Sequence, residues 1–395
     1  MKPIEIADGI FWVGAIDWNI RDFHGYSTYQ GTTYNAYLIM DEKITLIDTV
    51  KKEFADDLIA KVSQIVDPKK IDYVISNHTE MDHSGGLARV MHRVGEDKPL
   101  YCSKMGQKNL SKHFPQKWNY QPVEDGGQLS VGKKTLAFME TRMLHWPDSM
   151  FTYAVEDKIL FSSDAFGQHY AGLERFDDQV GDAIMPHARK YFANILLLYS
   201  PLILKLVDKV TEAGLELNMV CPDHGIMWRK DPGKIINAYV EWSQQAPKRK
   251  ALVIYDTMWH STEIMAETIV DALGREGVDA QPMHLRSWHR SDIMTEVLDA
   301  GAIILGSPTI NNGLFPTMSD FLTYMKGLKP KNKIAAAFGS YGWSGEAVKL
   351  LTGELEDMKF DVIDPGLRIQ YVPDEQGIEA CYELGRKIAR ALPTQ

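Results

Sequence analysis

Apolar positions in the first part of the chain come in short runs separated by turn-forming residues, at 10–13, 37–40, 44–47 and 71–75. Their length and β-branched content predict strands. Further strands are predicted over 135–143, 151–155 and 158–162, with turn signals at Gly126-Gly127, Gly132 and Asp157 between them. Residues 53–66 interrupt this rhythm with an amphipathic helical period, and a second helical pattern starts at Leu87. Many short strands with occasional helices predict two stacked sheets carrying helices outside. Beyond residue 250 the rhythm changes. Strands over 251–255, 302–305 and 334–338 alternate with helical patterns over 263–275, which ends at Gly277, over 346–358 and over 377–392. Such alternation predicts a parallel, doubly wound sheet. The change falls at the polar, basic stretch 244–250, which contains Pro247, so domains are expected over 1–247 and 248–395.

Length and charge agree with this division. A chain of 395 residues is too long for one ordinary domain. A formal charge of −10 argues against a nucleic-acid footprint or attraction to an anionic membrane. No uninterrupted apolar run approaches the ~18 residues of a membrane span, and acids interrupt the N-terminus too early for a signal-peptide core. Cys102, Cys221 and Cys381 are far apart and form no Cys-x-x-Cys pair, which excludes an iron–sulfur knuckle or zinc ribbon. Cys221, in an apolar run, reads as a buried thiol. Unpaired cysteines of this kind fit a reducing cytoplasm.

Candidate chemistry concentrates at the ends of the predicted strands. His78-Thr79-Glu80-Met81-Asp82-His83 places four potential metal ligands in six residues, directly after the run 71–75. Ser84, Gly85 and Gly86 follow. Three more candidates each close an apolar run: His145 in His145-Trp146-Pro147-Asp148, Asp164 in Ser162-Ser163-Asp164, and His224 in Pro222-Asp223-His224-Gly225. A lone histidine after a strand is more often structural. Four returns to one kind of place point to a metal centre. His92, His113, His169, His187, His284 and His289 read as surface or structural residues, while His24 is equally a pocket residue or a loop histidine. Trp146, Phe166 and Tyr191 are candidates for an apolar wall, with ordinary core packing as the default.

In the second half, three loops follow strand ends, where open α/β sheets bind ligands. Thr257-Met258-Trp259-His260-Ser261-Thr262 brings hydroxyls and backbone amides to a helix N-terminus, suited to a phosphate. It lacks the endings of a P-loop and of a dinucleotide fingerprint. The other two loops are Ser307-Pro308-Thr309-Ile310-Asn311-Asn312-Gly313 and Ser340-Tyr341-Gly342-Trp343-Ser344-Gly345. Small residues, amides and a tryptophan in the first and third loops suit a flat tricyclic ring.

The order His-x-Glu-x-Asp-His, then His, Asp and His, resembles the metallo-β-lactamase fold in its flavodiiron version, and the three later loops resemble flavodoxin. The resemblance covers essentially the whole chain. It implies an α/β chain with an N-terminal metallo-β-lactamase-like αββα sandwich that holds a diiron site, and a C-terminal flavodoxin-like doubly wound parallel sheet that holds FMN. The implied ligands are His78, Glu80 and His145 for one iron and Asp82, His83 and His224 for the other, with Asp164 bridging. His83 is the ligand expected to yield most readily to water. Glu80 stands where the hydrolase branch carries histidine, and added carboxylate oxygen suits iron better than zinc. Implied activity is reduction of dioxygen to water, of nitric oxide to nitrous oxide, or both, with FMN passing electrons to the irons. Because no cysteine knuckle precedes Gln395, the expected donor is a separate rubredoxin or a reduced deazaflavin. The resemblance further implies a head-to-tail homodimer, or a dimer of dimers, in which the flavin of one chain faces the irons of the other. Two other classes remain at this level: a two-zinc hydrolase with an appended flavodoxin, and a flavodoxin-like carrier with a degenerate, metal-free partner domain.

Overall fold

The computed structural model describes residues 2–212 and 214–394, and the strands and helices named below are those of the described residues. The chain forms two compact units. One comprises residues 1–24, 28–192 and 199–240; the other comprises 25–27, 193–198 and 241–395. The change of unit at Glu241 falls inside the helix Pro232–Gln244, ahead of the 247/248 boundary read from the sequence. Proline and basic residues mark the start of the strand Lys248–Tyr255 rather than the change of unit.

In the first unit a seven-stranded sheet runs in the order Ile4–Ala7, Ile10–Trp12, Tyr37–Ile39, Thr45–Ile47, Tyr73–Ser76, Pro99–Ser103, Asn119–Val123. Its first strands pair antiparallel, and pairing becomes parallel from Thr45–Ile47 onward. A five-stranded sheet, Gln128–Ser130, Thr135–Glu140, Met150–Ala154, Ile159–Phe161, Met219–Cys221, stacks on it. Alternation along the strands builds the layers. Tyr37, Ile39, Ile47 and Ile75 face the second sheet's Leu136, Phe138, Phe161 and Cys221. Their neighbours Leu38, Leu46 and Val74 face the other way, onto Leu58, Val62, Val90 and Met91 of the helices Ala55–Val62 and Leu87–Val94. Helices Ser200–Glu212 and Pro232–Gln244 flank Phe151 and Leu160 on the outer side of the smaller sheet. The helical run Asp177–Glu212 is long and apolar enough by composition to cross a membrane. It is broken into short pieces, with a π turn at Phe192–Leu196.

The second unit is a parallel sheet in the order Asp279–His284, Lys248–Tyr255, Ala300–Gly306, Ile334–Tyr341, Asp361–Val362, with Leu367–Gln370 also on Ile334–Tyr341. Ala300–Gly306 is buried throughout, which is why it reads as one continuous apolar run. The edge strand Asp279–His284 carried no such signal, because it alternates polar residues and contains Pro282, which an edge strand tolerates. Helix boundaries also differ from the sequence reading. The predicted helix 53–66 is a 3₁₀ turn, Lys52–Phe54, followed by Ala55–Val62. The last helix starts at Glu375 because the Asp374 side chain caps it by accepting from Gly377 N–H at 2.8 Å.

Candidate metal centre and cofactor edge

Topology delivers the seven metal-ligand candidates to one place. Tyr73–Ser76 lies parallel between Thr45–Ile47 and Pro99–Ser103, so residues 77–80 leave the sheet at its C-terminal edge. The hexapeptide is not all loop: Met81–Ser84 is a helical turn, with Asp82 and His83 buried on it. Ile159–Phe161 and Met219–Cys221 are parallel neighbours, so Asp164 and His224 emerge from one edge of the second sheet. His145 stands between Thr135–Glu140 and Met150–Ala154.

The side chains fall into two groups that meet at Asp164. In the first, His78 Nε2 lies 3.3 Å from Glu80 Oε2 and 3.3 Å from Asp164 Oδ2, and His145 Nε2 lies 3.1 Å from each of the same oxygens. In the second, Asp82 Oδ2 is 3.2 Å from His83 Nε2 and 3.1 Å from His224 Nε2. Asp164 Oδ1 turns to this second group, 3.2 Å from His83 Nε2 and 3.4 Å from His224 Nε2. One carboxylate thus offers one oxygen to each group. His83 points inward, toward both Asp82 and Asp164.

Surrounding groups set the tautomers. His78 Nδ1 is 3.1 Å from Asp148 Oδ2, which also accepts from Thr79 N–H at 2.8 Å. A carboxylate can only accept, so the proton sits on Nδ1 and the Nε2 lone pair faces the cluster. His224 Nδ1 is 2.6 Å from the Thr33 carbonyl, and the same reasoning turns its Nε2 lone pair inward. Asp223 Oδ2 lies 3.7 Å behind His83 Nδ1. Burial raises the Asp223 carboxyl well above its usual range and brings Asp48 up to about 6. Burial would lower the pKa of His145, but the nearby Asp164 and Glu80 carboxylates outweigh it and carry the imidazole up to about 9.

The donor set fits two cations. Asp82 Oδ1 and Oδ2, His83 Nε2 and Asp164 Oδ2 are buried with no hydrogen-bond partner. Buried polar atoms are nearly always paired, so these lone pairs are placed for something other than a proton. Within each of the two groups the ligand atoms all lie within 4.8 Å of one another. Carboxylate-rich sets of this kind suit iron, and a carboxylate with one oxygen toward each ligand group suits a two-metal arrangement.

A cleft of about 820 Å³ opens over the cluster, lined by Phe23, His24, Lys51, Glu80, Asp82 and Trp146 among others. His24 is exposed at its rim, with Nε2 3.7 Å from Glu80 Oε1. The Trp146 indole stands edge-on to His78 at 5.2 Å. Tyr191 does more than pack: its hydroxyl donates to Asp164 Oδ1 at 2.9 Å. Phe166 is buried beside Tyr239, whose hydroxyl accepts its N–H at 2.8 Å. His169 is structural rather than a surface residue. It is buried, with its ring 4.8 Å from His224 and Nδ1 2.8 Å from Thr32 Oγ1, and burial followed by the His224 charge lowers its pKa well below the usual value. His284 is likewise not a plain surface residue, since Nε2 is 3.3 Å from the buried Asp256, and His289 caps Arg290–Val297. Sequence reasoning missed Asp148 and Asp223 as supporting acids. Their signal was present, because each lies in the tetrapeptide that carries a ligand histidine.

In the second unit the three loops leave adjacent parallel strands, Lys248–Tyr255, Ala300–Gly306 and Ile334–Tyr341, at one edge. They are tied together there. Thr262 and Ser340 hydroxyls are 2.9 Å apart, Thr309 N–H donates to Ser340 O at 3.1 Å, and Ser344 Oγ lies 3.3 Å from Asn312 Oδ1. Thr257 Oγ1 is buried without a partner, and His260 gives no side-chain cap to the helix Ser261–Arg275. A phosphate would meet both needs. Trp259 and Trp343 stand 87% and 88% exposed, two indole faces offered to a flat ring. Asp256, Arg286 and Thr317, absent from the sequence reading, brace the first loop from behind: Arg286 Nε donates to Asp256 Oδ1 at 2.9 Å, Thr317 bonds Asp256 Oδ2, and Arg286 also bonds the Thr257 carbonyl.

Fold and sites together define a lactamase-like two-metal domain joined to a flavodoxin domain. Comparison agrees with both halves: residues 32–225 match the ODP family beta-lactamase model and residues 253–385 match flavodoxin. A nitric oxide reductase of Moorella thermoacetica is 49% identical over 396 residues, covering 99% of each chain. The solved rubredoxin oxygen:oxidoreductase of Desulfovibrio gigas superposes with a TM-score of 0.97 at 44% identity, over 99% of this chain and 98% of that one. The flavodiiron protein of Giardia intestinalis gives 0.95 at 36%, over 99% and 96%. The chain belongs to the flavodiiron family and is an oxidoreductase whose cofactors are a non-haem diiron centre and FMN.

Proposed function

We propose that the chain reduces dioxygen to water, nitric oxide to nitrous oxide, or both, with His78, Glu80 and His145 holding one iron, Asp82, His83 and His224 the other, and Asp164 between them. The observation that carries this reading is the split of Asp164, with one oxygen on each ligand group. The iron pair supplies a Lewis-acidic, redox-active place for a diatomic gas. The chain's own residues do the rest. Asp148 and the Thr33 carbonyl hold His78 and His224 in the ligating tautomer. Tyr191 donates to Asp164 and limits its swing. Trp146 and Phe23 wall the cleft against bulk water. FMN, which stores the electrons that no side chain can, would sit with its phosphate on residues 257–262 and its ring beside Trp343. The remaining members of those loops would wrap it: Ser307, Pro308, Thr309, Asn311, Asn312 and Gly313 on one side, Ser340 to Gly345 on the other.

Electrons would come from a separate rubredoxin or a reduced deazaflavin. The working assembly would be a head-to-tail homodimer, or a pair of such dimers, because electron transfer falls steeply with distance. Three buried, unpaired cysteines support a cytoplasmic setting. The two-zinc hydrolase is not favoured, since Glu80 occupies the position where that branch has histidine. The test is metal and flavin analysis of the purified protein, then anaerobic reduction and titration with each gas. About two irons and one FMN per chain, with consumption of at least one gas, is expected. Zinc loading with ester or lactam hydrolysis would overturn the proposal.

A further inference from the structure

Arg175 is a cation in the core of the first unit. Its side chain is among the largest that are fully buried, with 1% exposure. It donates from Nη2 to the Gly172 carbonyl, while Nε and Nη1 have no hydrogen-bond partner and no carboxylate pairs with it among the described residues. Burial, offset in part by Tyr37, Glu174 and Tyr170, lowers its pKa only to about 10, so it stays charged at neutral pH. An uncompensated buried charge is costly. A core that needed only volume here would be served by methionine or leucine.

Its surroundings lead to the metal centre. The guanidinium lies over the Trp12 indole, 5.0 Å from the ring centroid. Trp12 Nε1 donates to Asn35 Oδ1 at 2.8 Å. Asn35 in turn holds the loop that carries His224: Nδ2 donates to Pro222 O at 2.7 Å and to Gly225 O at 3.1 Å, and its backbone N–H donates to Asp223 O at 2.7 Å. Tyr37, which senses the charges of both Arg175 and Asp223, donates to Pro222 O at 2.7 Å. The Arg175 carbonyl accepts from Met227 N–H at 2.7 Å, just past the same loop.

We propose that Arg175 is a positioning residue of the diiron centre whose unpaired positive charge, placed behind the Trp12–Asn35 clamp on the His224 loop, raises the reduction potential of the metal pair. A fixed cation favours the less positive, reduced metal. It offsets part of the negative charge of Glu80, Asp82 and Asp164, which favours the oxidised form. The inference rests on the diiron reading above, and iron content separates the two: a protein without iron fails that reading, whereas an iron-loaded protein with an insensitive potential fails only this inference.

The experiment compares the holoenzyme with Arg175→Met and Arg175→Lys, measuring iron per chain, thermal midpoint and the diiron potential by anaerobic titration followed by EPR. Arg175→Met keeps the volume and removes the charge. It should retain iron while the ferric-to-ferrous balance shifts toward ferric on the order of tenfold, ~59 mV for one electron. Arg175→Lys should restore most of that shift even if it is equally destabilised. A potential unchanged in Arg175→Met, or lowered equally in Arg175→Lys, would overturn the role of the charge. Should Arg175→Met fail to fold, Arg175→Gln, which can still donate to the Gly172 carbonyl, gives the same reading.

Discussion

The two cofactor regions solve their binding problems in opposite ways. At the metal centre His78, His83, Asp164 and His224 are buried, and protein atoms fix their orientation: Asp148 behind His78, the Thr33 carbonyl behind His224, Tyr191 on Asp164. At the flavin edge the groups that would touch the ring, Trp259 and Trp343, project into solvent, and only the base of the loops is braced. A small ion that binds through four or five short bonds rewards rigidity, because a donor misplaced by an ångström loses its bond. A large planar cofactor binds through area and can draw mobile side chains onto itself. Substitution should therefore be far more costly at the first site than at the second.

The largest effect is expected at Asp164. Asp164→Asn removes the one anion that both ligand groups share, and leaves an amide nitrogen facing one of them. Metal content should fall from about two ions per chain to fewer than about one, with both sites affected. Full occupancy of one site with the other empty, seen by metal analysis and EPR, would break the bridging arrangement. Next comes Asp148, which touches no metal. Asp148→Ala frees His78 Nδ1 and should weaken metal retention about 10- to 100-fold against a chelator. A change smaller than ~3-fold would mean that the ligand geometry holds without its support.

Much of this contrast was legible in the sequence, and the parts that were not have physical reasons. Seven ligand candidates were readable because each lies in a segment that follows a strand, where side chains of different chain segments converge. The three loops at one edge of the second unit were readable for the same cause. Asp148 and Asp223 were overlooked because a supporting acid has no spacing rule of its own; only the fold shows which imidazole it stands behind. The burial of His169 was not legible because nothing in its neighbourhood along the chain announces it; it comes from Thr32 and His224 far away in sequence. The helical turn Met81–Ser84 was hidden by its shortness. The edge strand Asp279–His284 was hidden by its polar residues and Pro282, whereas the helix Pro316–Leu328 was overlooked although its buried Met318, Phe321, Leu322, Met325 and Leu328 recur at helical spacing. The change of unit at Glu241 was not legible in composition, because composition marks loops and this change falls within a helix.

A smaller effect is expected at Trp343. Its indole is 88% exposed, so Trp343→Ala leaves no hole in the core and, on the proposed placement of FMN, costs only contact with the flavin ring. Aromatic pairs contribute about 0.5–1.5 kcal/mol beyond area, so FMN affinity should fall about 2- to 10-fold, read by fluorescence on dialysis, with iron content unchanged. Loss of iron in the same variant would blur the distinction between the two regions.

His24 tests the contrast from inside the metal unit, and the expected effect is the smallest. Its side chain is 77% exposed, nearly as exposed as Trp259 and Trp343, yet it lines the metal cleft with Nε2 3.7 Å from Glu80 Oε1. If position in the sequence or membership of the cleft decided importance, His24→Ala would resemble Asp148→Ala. If burial and fixed orientation decide it, the loss is that of an exposed ion pair, a contact that salt screens and that contributes ~1 kcal/mol or less. Glu80 would keep its shorter contacts to His78 and His145, at 3.3 and 3.1 Å. Iron retention in His24→Ala should then change by less than about 5-fold, and the difference should shrink further at high ionic strength. A loss of iron as large as in Asp148→Ala, unaltered by salt, would show that His24 orients Glu80 in the working protein and would move it from the adaptable group to the rigid one.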